Sequence, residues 1–225
     1  MKALKLLILG GTGGVGRQLV AQASAAGHEL TLLVRPTTAC EVPEGVRVLR
    51  GLLDERPRLD EAMAGADAVL SCIGMQRANP ANPWSASRSP EDLSSATARL
   101  IVAAMREHGV PRIVAVSAAG VGDSAAQLNL VMRFFLATSM IGTAYADLAR
   151  MEAVYAESGL DWLAPRPTRL MDGAATGRVA VVERFGTRAA ITRADVARWM
   201  LDALSVPSWP DPSWGGRTPQ ISAES

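Results

Sequence analysis

Gly10, Gly13 and Gly16 recur at three-residue intervals directly after an apolar run, in the segment Leu9-Gly10-Gly11-Thr12-Gly13-Gly14-Val15-Gly16. Residues without a side chain suit one chemistry at this spacing. The chain must turn sharply out of a strand, its backbone must approach a diphosphate with no Cβ in the way, and the next helix must pack closely on the sheet. The N–H groups that open the helix at Val15 then face the phosphates, and the helix dipole adds to the attraction. A glycine triplet alone is a weak signal. This one follows a buried-strand pattern and opens an amphipathic helix that leads to a second strand, the context a dinucleotide-binding loop requires.

A second signal lies at the end of that second strand. An Asp or Glu there would accept hydrogen bonds from the adenosine 2′-hydroxyl and repel a 2′-phosphate. The chain has Val34-Arg35-Pro36-Thr37-Thr38 instead. The planar fork of Arg35 matches a phosphate, with the Thr hydroxyls in support. The expected cofactor is therefore NADP(H) in preference to NAD(H).

A third signal is something missing. In many dinucleotide enzymes a Tyr-x-x-x-Lys pair passes a proton during hydride transfer, the Lys lowering the Tyr pKa. Tyr145 is followed at position 149 by Ala and Tyr155 at 159 by Gly, and the only lysines are Lys2 and Lys5. Arg150 falls on another helical face from Tyr145, and its guanidinium resists proton transfer. Carbonyl reduction by such a dyad is disfavoured. Reduction of a small conjugated acceptor, flavin or quinone-like, needs mainly an aligned hydride. A non-catalytic NADP(H)-sensing regulator and a cofactor-retaining dehydratase, isomerase or epimerase are the alternatives.

The elements that must hold these residues follow from hydrophobic period. Leu4 to Leu9 reads as a parallel strand covered on both faces, and Val15 to Ala26 as a helix closed by Gly27. Strands are expected at 29–34, 46–49, 66–73, 111–116 and 160–165, with a further one at 179–183. Helices are expected at 59–64, 91–108, 128–141, 144–158 and 192–204, with Pro90 at the start of the long one. This alternation predicts an α/β fold, a Rossmann-type doubly wound parallel sheet in a single domain. Residues 1–205 would form the NAD(P)-binding domain with small C-terminal covering elements, and 206–225 a tail with a short edge strand.

Bulk properties agree with that scale. A chain of 225 residues suits one domain, and a formal net charge of +1 offers no electrostatic case for nucleic acid. Cys40 and Cys72 form neither a disulfide framework nor a metal cluster, and no metal site is expected. The first apolar run is too short for a signal peptide or a membrane span, so a cytoplasmic protein with no membrane partner is expected.

With these residues in hand, the chain from about 3 to 205 resembles the atypical short-chain dehydrogenase/reductases. Within them it is similar to the NAD(P)H-binding, NmrA-like group that includes flavin and biliverdin-IXβ reductases. The carriers are GGTGGVG at 10–16, GHELTLLVR at 27–35, GADAVLSCIG at 65–74, PRIVAVSAAG at 111–120, ESGLDWLAPRPTRL at 157–170 and TRADVARWML at 192–201. The resemblance implies that Gly10, Thr12, Gly13, Gly14, Val15 and Gly16 hold the pyrophosphate and that Arg35 meets the 2′-phosphate. Leu52 and Leu53 would flank the adenine, and Ile73 and Gly74 the ribose. Ser117 and Ala118 would sit near the nicotinamide, with Pro165, Arg166, Pro167 and Thr168 over its other end. Two departures stand out: Gly51-Leu52 where many relatives have Gly-Asp, and Ser117-Ala118 where relatives often carry two hydroxyls.

For the substrate, the polar loop 75–92 is placed as a lid, with Trp84 to stack on a flat acceptor. The helix at 128–141 is apolar nearly all round, and Met132 and Phe135 are its candidate substrate contacts. Core or homodimer packing is the stronger expectation for this helix. Ser117 and Tyr145 are the candidate catalytic polar groups, whereas His28 and His108 read as structural.

Overall fold

The structure, a computed structural model, describes residues 3–79 and 81–224. The first apolar run becomes β1 (Lys5–Leu9), and Leu6 to Leu9 are each at most 1% exposed. A strand buried on both faces needs helices on both sides. The chain continues through α1 (Gly14–Ala25), β2 (Glu29–Val34), β3 (Arg47–Arg50), α2 (Arg56–Met63), β4 (Ala68–Ser71) and α3 (Leu93–His108). β5 (Arg112–Ala115), α4 (Leu130–Thr138), α5 (Met140–Ala156) and β6 (Asp161–Leu163) follow. These six strands form one parallel sheet in the order β3-β2-β1-β4-β5-β6. The order reverses between β1 and β4, so a crevice opens beyond their carboxyl ends. The fold is the Rossmann-type single domain the alternation of elements implies.

The last third completes the core. β7 (Arg166–Pro167), β8 (Arg169–Met171), β9 (Val179–Val181), β10 (Ala190–Thr192), α6 (Arg193–Leu204) and β11 (Gln220–Ala223) complete the regular strands and α-helices among the described residues. One core cluster joins α1 and α6 on one face of the main sheet; another joins α2, α3 and α5 on the opposite face. β11 corrects the expectation of an edge strand: it is the middle strand between β7 and β9, with Ile221 fully buried. Before it, Trp209 buries its indole and donates to the Ala203 carbonyl at 2.9 Å.

Element ends differ from the hydrophobic pattern where capping decides them. α3 begins at Leu93, so Pro90 lies outside it. Its first amides are met instead by Asp147 of α5, which accepts from Ser94 N–H at 2.6 Å and Ser95 N–H at 3.3 Å. α2 starts at Arg56 rather than Leu59, Pro57 being tolerated in a first turn. The helix expected at 128–141 ends at Thr138, and extended backbone at Ser139 separates it from α5. Gly142 allows this junction, since a Cβ there would stand 1.9 Å from the Leu136 carbonyl oxygen.

The main surprise is α4. Of core or homodimer packing, the two expectations for it, the core is ruled out: none of its residues is buried, and Leu130, Val131 and Phe134 are 71–80% exposed. It lies beside a cavity rather than on the sheet. No helix among the described residues is long and apolar enough to cross a membrane.

Candidate functional site

The glycine loop turns at the crevice between β1 and β4. Gly10 has φ +74°, and a Cβ on it would stand 2.7 Å from the Cys72 carbonyl group. Gly13 N–H donates to the Gly10 carbonyl at 3.0 Å, closing the turn. A Cβ on Gly16 would fall 2.1 Å from the Gly10 carbonyl oxygen, so α1 abuts the loop backbone directly. No side chain caps the start of α1, whose N-cap is Gly13. The first amides are therefore free of a side-chain cap, as at a helix start that can take an anion.

Beside this loop runs a cleft of about 490 Å³. Gly10, Thr12, Gly13, Arg35, Leu52, Leu53, Ile73 and Gly74, all expected at the cofactor, line it together. Arg35 is exposed and makes one long contact, 3.4 Å to Gln76 Oε1. The turn after it is shaped by Arg50, which donates to the carbonyls of Pro36 at 3.2 Å and Thr38 at 3.0 Å. Leu52, 42% exposed, offers an apolar face to the cleft. Cys72 is in the lining as well; burial pushes its thiol up to about 12, so it stays protonated and unreactive.

Sequence reasoning missed part of this wall. The loop after β4 folds back on itself, with Arg88 N–H on the Gln76 carbonyl at 2.7 Å and Gln76 N–H on Ser89 Oγ at 3.1 Å. That pairing sets Gln76 and Arg88 into the cleft, along with Thr38 and Thr97. Arg88 is exposed, and its side chain has no hydrogen bond to any described residue. Nothing in the sequence marks one Arg among the Ser, Asn and Pro residues of a polar loop.

A second cavity, of about 850 Å³, lies between the loop after β5, α4 and α5. Val121, Leu136, Ala137 and Ala149 give it an apolar lining, and Arg133 supplies its one charge. Tyr145 lines it too, and burial raises its phenol above the usual range. The residue one turn on is Ala149, where a dyad would place Lys. Lys5 is at the far, amino end of β1 and pairs with Glu29 at 3.7 Å. Of the proposed substrate contacts, Met132, Phe135 and Trp84 are not in the lining. Trp84 meets Phe135 edge-on at 5.5 Å, and Pro83 accepts from Met140 N–H at 3.1 Å, which ties the loop tip to α4 and α5. The apolar pattern singles out Met132 and Phe135, whereas the cavity is faced by Arg133, Leu136 and Ala137 of the same helix.

Of the residues expected near the nicotinamide, Ser117 and Pro165 to Thr168 are buried and Ala118 is half-buried. Ser117 donates to Glu152 Oε1 at 2.5 Å, and Arg166 holds the same carboxylate at 2.9 and 2.6 Å. Arg166 also pairs with Asp123, and its guanidinium keeps that carboxyl below the usual range. Ala119 N–H bonds the Pro167 carbonyl at 3.0 Å, and Ser117 N–H the Pro165 carbonyl at 2.9 Å. Thr168 bonds β11 through Ser222 at 3.2 Å, and Ala118 lines neither cavity. Pro165 to Thr168 thus brace the loop after β5 from behind. The histidines are placed structurally: His28 accepts from Leu4 N–H at 3.1 Å, and His108 meets Asp60 at 3.0 Å.

Known proteins align with this geometry. The chain overlays on the anaerobillin reductase ChuY from Escherichia coli O157:H7 with a TM-score of 0.73, at 21% identity, covering 96% of each chain. It overlays on a wide-type short-chain dehydrogenase/reductase from Veillonella parvula DSM 2008, solved in complex with NADP, with a TM-score of 0.73 at 17% identity, covering 98% and 94%. In sequence it is 36% identical over 81 residues to phenylcoumaran benzylic ether reductase IRL1 from Ginkgo biloba. That match covers 31% of this chain and only about a quarter of the relative, 26%. The family model described as NAD(P)H-binding matches residues 10–207, from the first glycine of the loop to beyond the last helix, and the chain belongs to that family.

Proposed function

We propose that the protein is an NADPH-dependent reductase that passes hydride to a small, flat, conjugated acceptor of the flavin or quinone type, without a Tyr–Lys dyad. The observation that carries it is the pair of cavities at one end of the sheet: a cleft beside the glycine loop, and an apolar chamber beyond β5. The cleft fits the cofactor. Gly13 meets only the Gly10 carbonyl oxygen within 4 Å of an ideal Cβ, so glycine leaves open the space a diphosphate would take. Arg35, with Arg88 in the lining of the same cleft, would hold the 2′-phosphate; Leu52 and Leu53 would flank the adenine. The bound cofactor supplies the hydride. The names of an anaerobillin reductase and of an NADP complex among similar folds support the same class.

The chain's own residues then orient and polarise the acceptor. The lining of Val121, Leu136 and Ala137 takes up a flat ring system, and the open side of the cavity leaves it in reach of water. Tyr145 works as a neutral hydrogen-bond donor: a phenol is protonated through the neutral range, and burial moves it further from ionising. Ser117, its proton engaged by Glu152, positions the loop after β5 rather than giving up a proton. The proton for the acceptor comes from water, which a quinone or flavin tolerates.

Steady NADPH oxidation against a panel of flavins and quinones tests this directly. Turnover with at least one acceptor is expected. Tight cofactor binding without turnover would overturn it in favour of an NADP(H)-responsive regulator, a role the exposed apolar face of α4 would suit. A cofactor that co-purifies and is never consumed would indicate a dehydratase, isomerase or epimerase. Replacing Arg35 by Asp tests the cofactor half. Removing charge-assisted hydrogen bonds to the 2′-phosphate should weaken NADPH binding by about 10- to 100-fold while sparing NADH. An unchanged NADPH-to-NADH ratio in calorimetry would show that Arg35 does not read the 2′-position.

A further inference from the structure

A cation lies over the glycine loop that the loop itself does not require. Arg193 is the first residue of α6, and a Cβ on Gly14 would fall 2.7 Å from its Cδ and Nε. Gly14 is therefore glycine for a reason beyond the turn: it seats the Arg193 stem against the first residue of α1. Among the described residues the guanidinium pairs with Asp172 alone, from Nη1 to Oδ1 at 2.7 Å. The two partners are unlike. Arg193 is 30% exposed and held against the loop, whereas the Asp172 side chain is 94% exposed.

The backbone around this pair is fixed. Thr192 caps α6, and Asp195 is fully buried in its first turn. Asp195 accepts from the N–H groups of Thr176 and Gly177 at 2.8 and 2.9 Å and from the Thr176 and Thr192 hydroxyls. Burial works against its charge, but these bonds outweigh it and hold the carboxyl below the usual range. The segment from Asp172 to Gly177 is thus buckled to the start of α6, beside the loop. An ion pair whose acid is in solvent is weak, and a diphosphate at a helix N-terminus is a stronger partner for a guanidinium.

We infer that Arg193 is a diphosphate ligand held in reserve by Asp172: when a dinucleotide occupies the loop, the guanidinium exchanges the exposed carboxylate for a diphosphate oxygen. It would raise affinity for every dinucleotide alike, whatever stands at the 2′-position. This rests on the glycine loop being the cofactor site. The two ends of the pair then act with opposite sign, which a merely structural ion pair would not do.

Calorimetry on the full chain with ADP, NADH and NADPH, and with adenosine as the phosphate-free control, reads the difference. Arg193→Ala should weaken all three by about 10- to 100-fold, and Arg193→Lys by less. Asp172→Asn should tighten all three by about two- to fivefold, since the competing surface pair is lost. Adenosine binding should not move in any variant. Asp172→Asn that weakens binding or leaves it unchanged would overturn the exchange, as would Arg193→Ala that binds like the parent. If the parent protein binds none of the three, it is the glycine-loop assignment that fails.

Discussion

Alanine at position 16 is expected to unseat the first helix, whereas alanine at position 13 should leave the fold intact and block only the cofactor. At Gly16 the added Cβ would fall 2.1 Å from the Gly10 carbonyl oxygen and 2.8 Å from the Gly11 Cα. Every neighbour is backbone, so none can turn aside; α1 must back away from β1 and β2, carrying Leu19 and Val20 out of the core. Overpacking of this kind costs about 1–3 kcal/mol or more. The displaced amides would also lose their aim, a loss of about 10- to 100-fold in cofactor affinity for one charge-assisted bond. At Gly13 the only close atom is the Gly10 carbonyl oxygen at 3.3 Å, a contact that small shifts relieve. Its Cβ would instead enter the space assigned to the diphosphate. Thermal melts and calorimetry on both variants separate the effects. A Gly16→Ala protein that melts and binds like the parent would show that α1 does not abut the loop; a Gly13→Ala protein that binds NADPH normally would move the diphosphate elsewhere.

The parts of the fold that could be read in advance share one property: their signals are local. The run Leu6 to Leu9, the glycine spacing and the helical period of Leu19, Val20 and Ala23 each sit within a few residues. That Arg35 and Gly10 line one cleft is legible for the same reason, because both are strand-end positions and the strand ends share an edge. What was missed depends on pairings across the chain. β11 becomes a middle strand only because β7 and β9 arrive on either side of it, 40 or more residues earlier for β9 and further for β7. Arg88 enters the cleft because a bridge between Arg77 and Ser87 folds the loop after β4 back on itself. The apolar pattern of α4 says that it avoids polar neighbours, yet no period tells a helix beside a cavity from a helix on a sheet. Arg193 resembles any solvated arginine until α1 and α6 are packed together and Gly14 is found beneath it.

The buried charges around Arg166 carry the largest expected loss of stability. Arg166 is 4% exposed and places three bonds on Glu152 and Asp123, and Glu152 also takes the Ser117 hydroxyl. Its guanidinium fits because Gly122, at φ +59°, has no Cβ; one there would stand 2.7 Å from Arg166 Nη2. Replacing Arg166 by Met removes the cation and leaves the Glu152 carboxylate buried with a serine hydroxyl for company. Breaking a buried pair from one side costs about 3–5 kcal/mol, which for a domain of this size lowers Tm by on the order of 10 °C. The double variant, Arg166→Met with Glu152→Gln, removes the stranded charge and should recover more than half of that loss. The network also stands against Gly122, which lines the cavity, so the single variant should bind acceptor less well even where it remains folded. A single variant that melts within about 1 kcal/mol of the parent, or a double variant no better than the single, would show that Glu152 is not an uncompensated charge once Arg166 is gone.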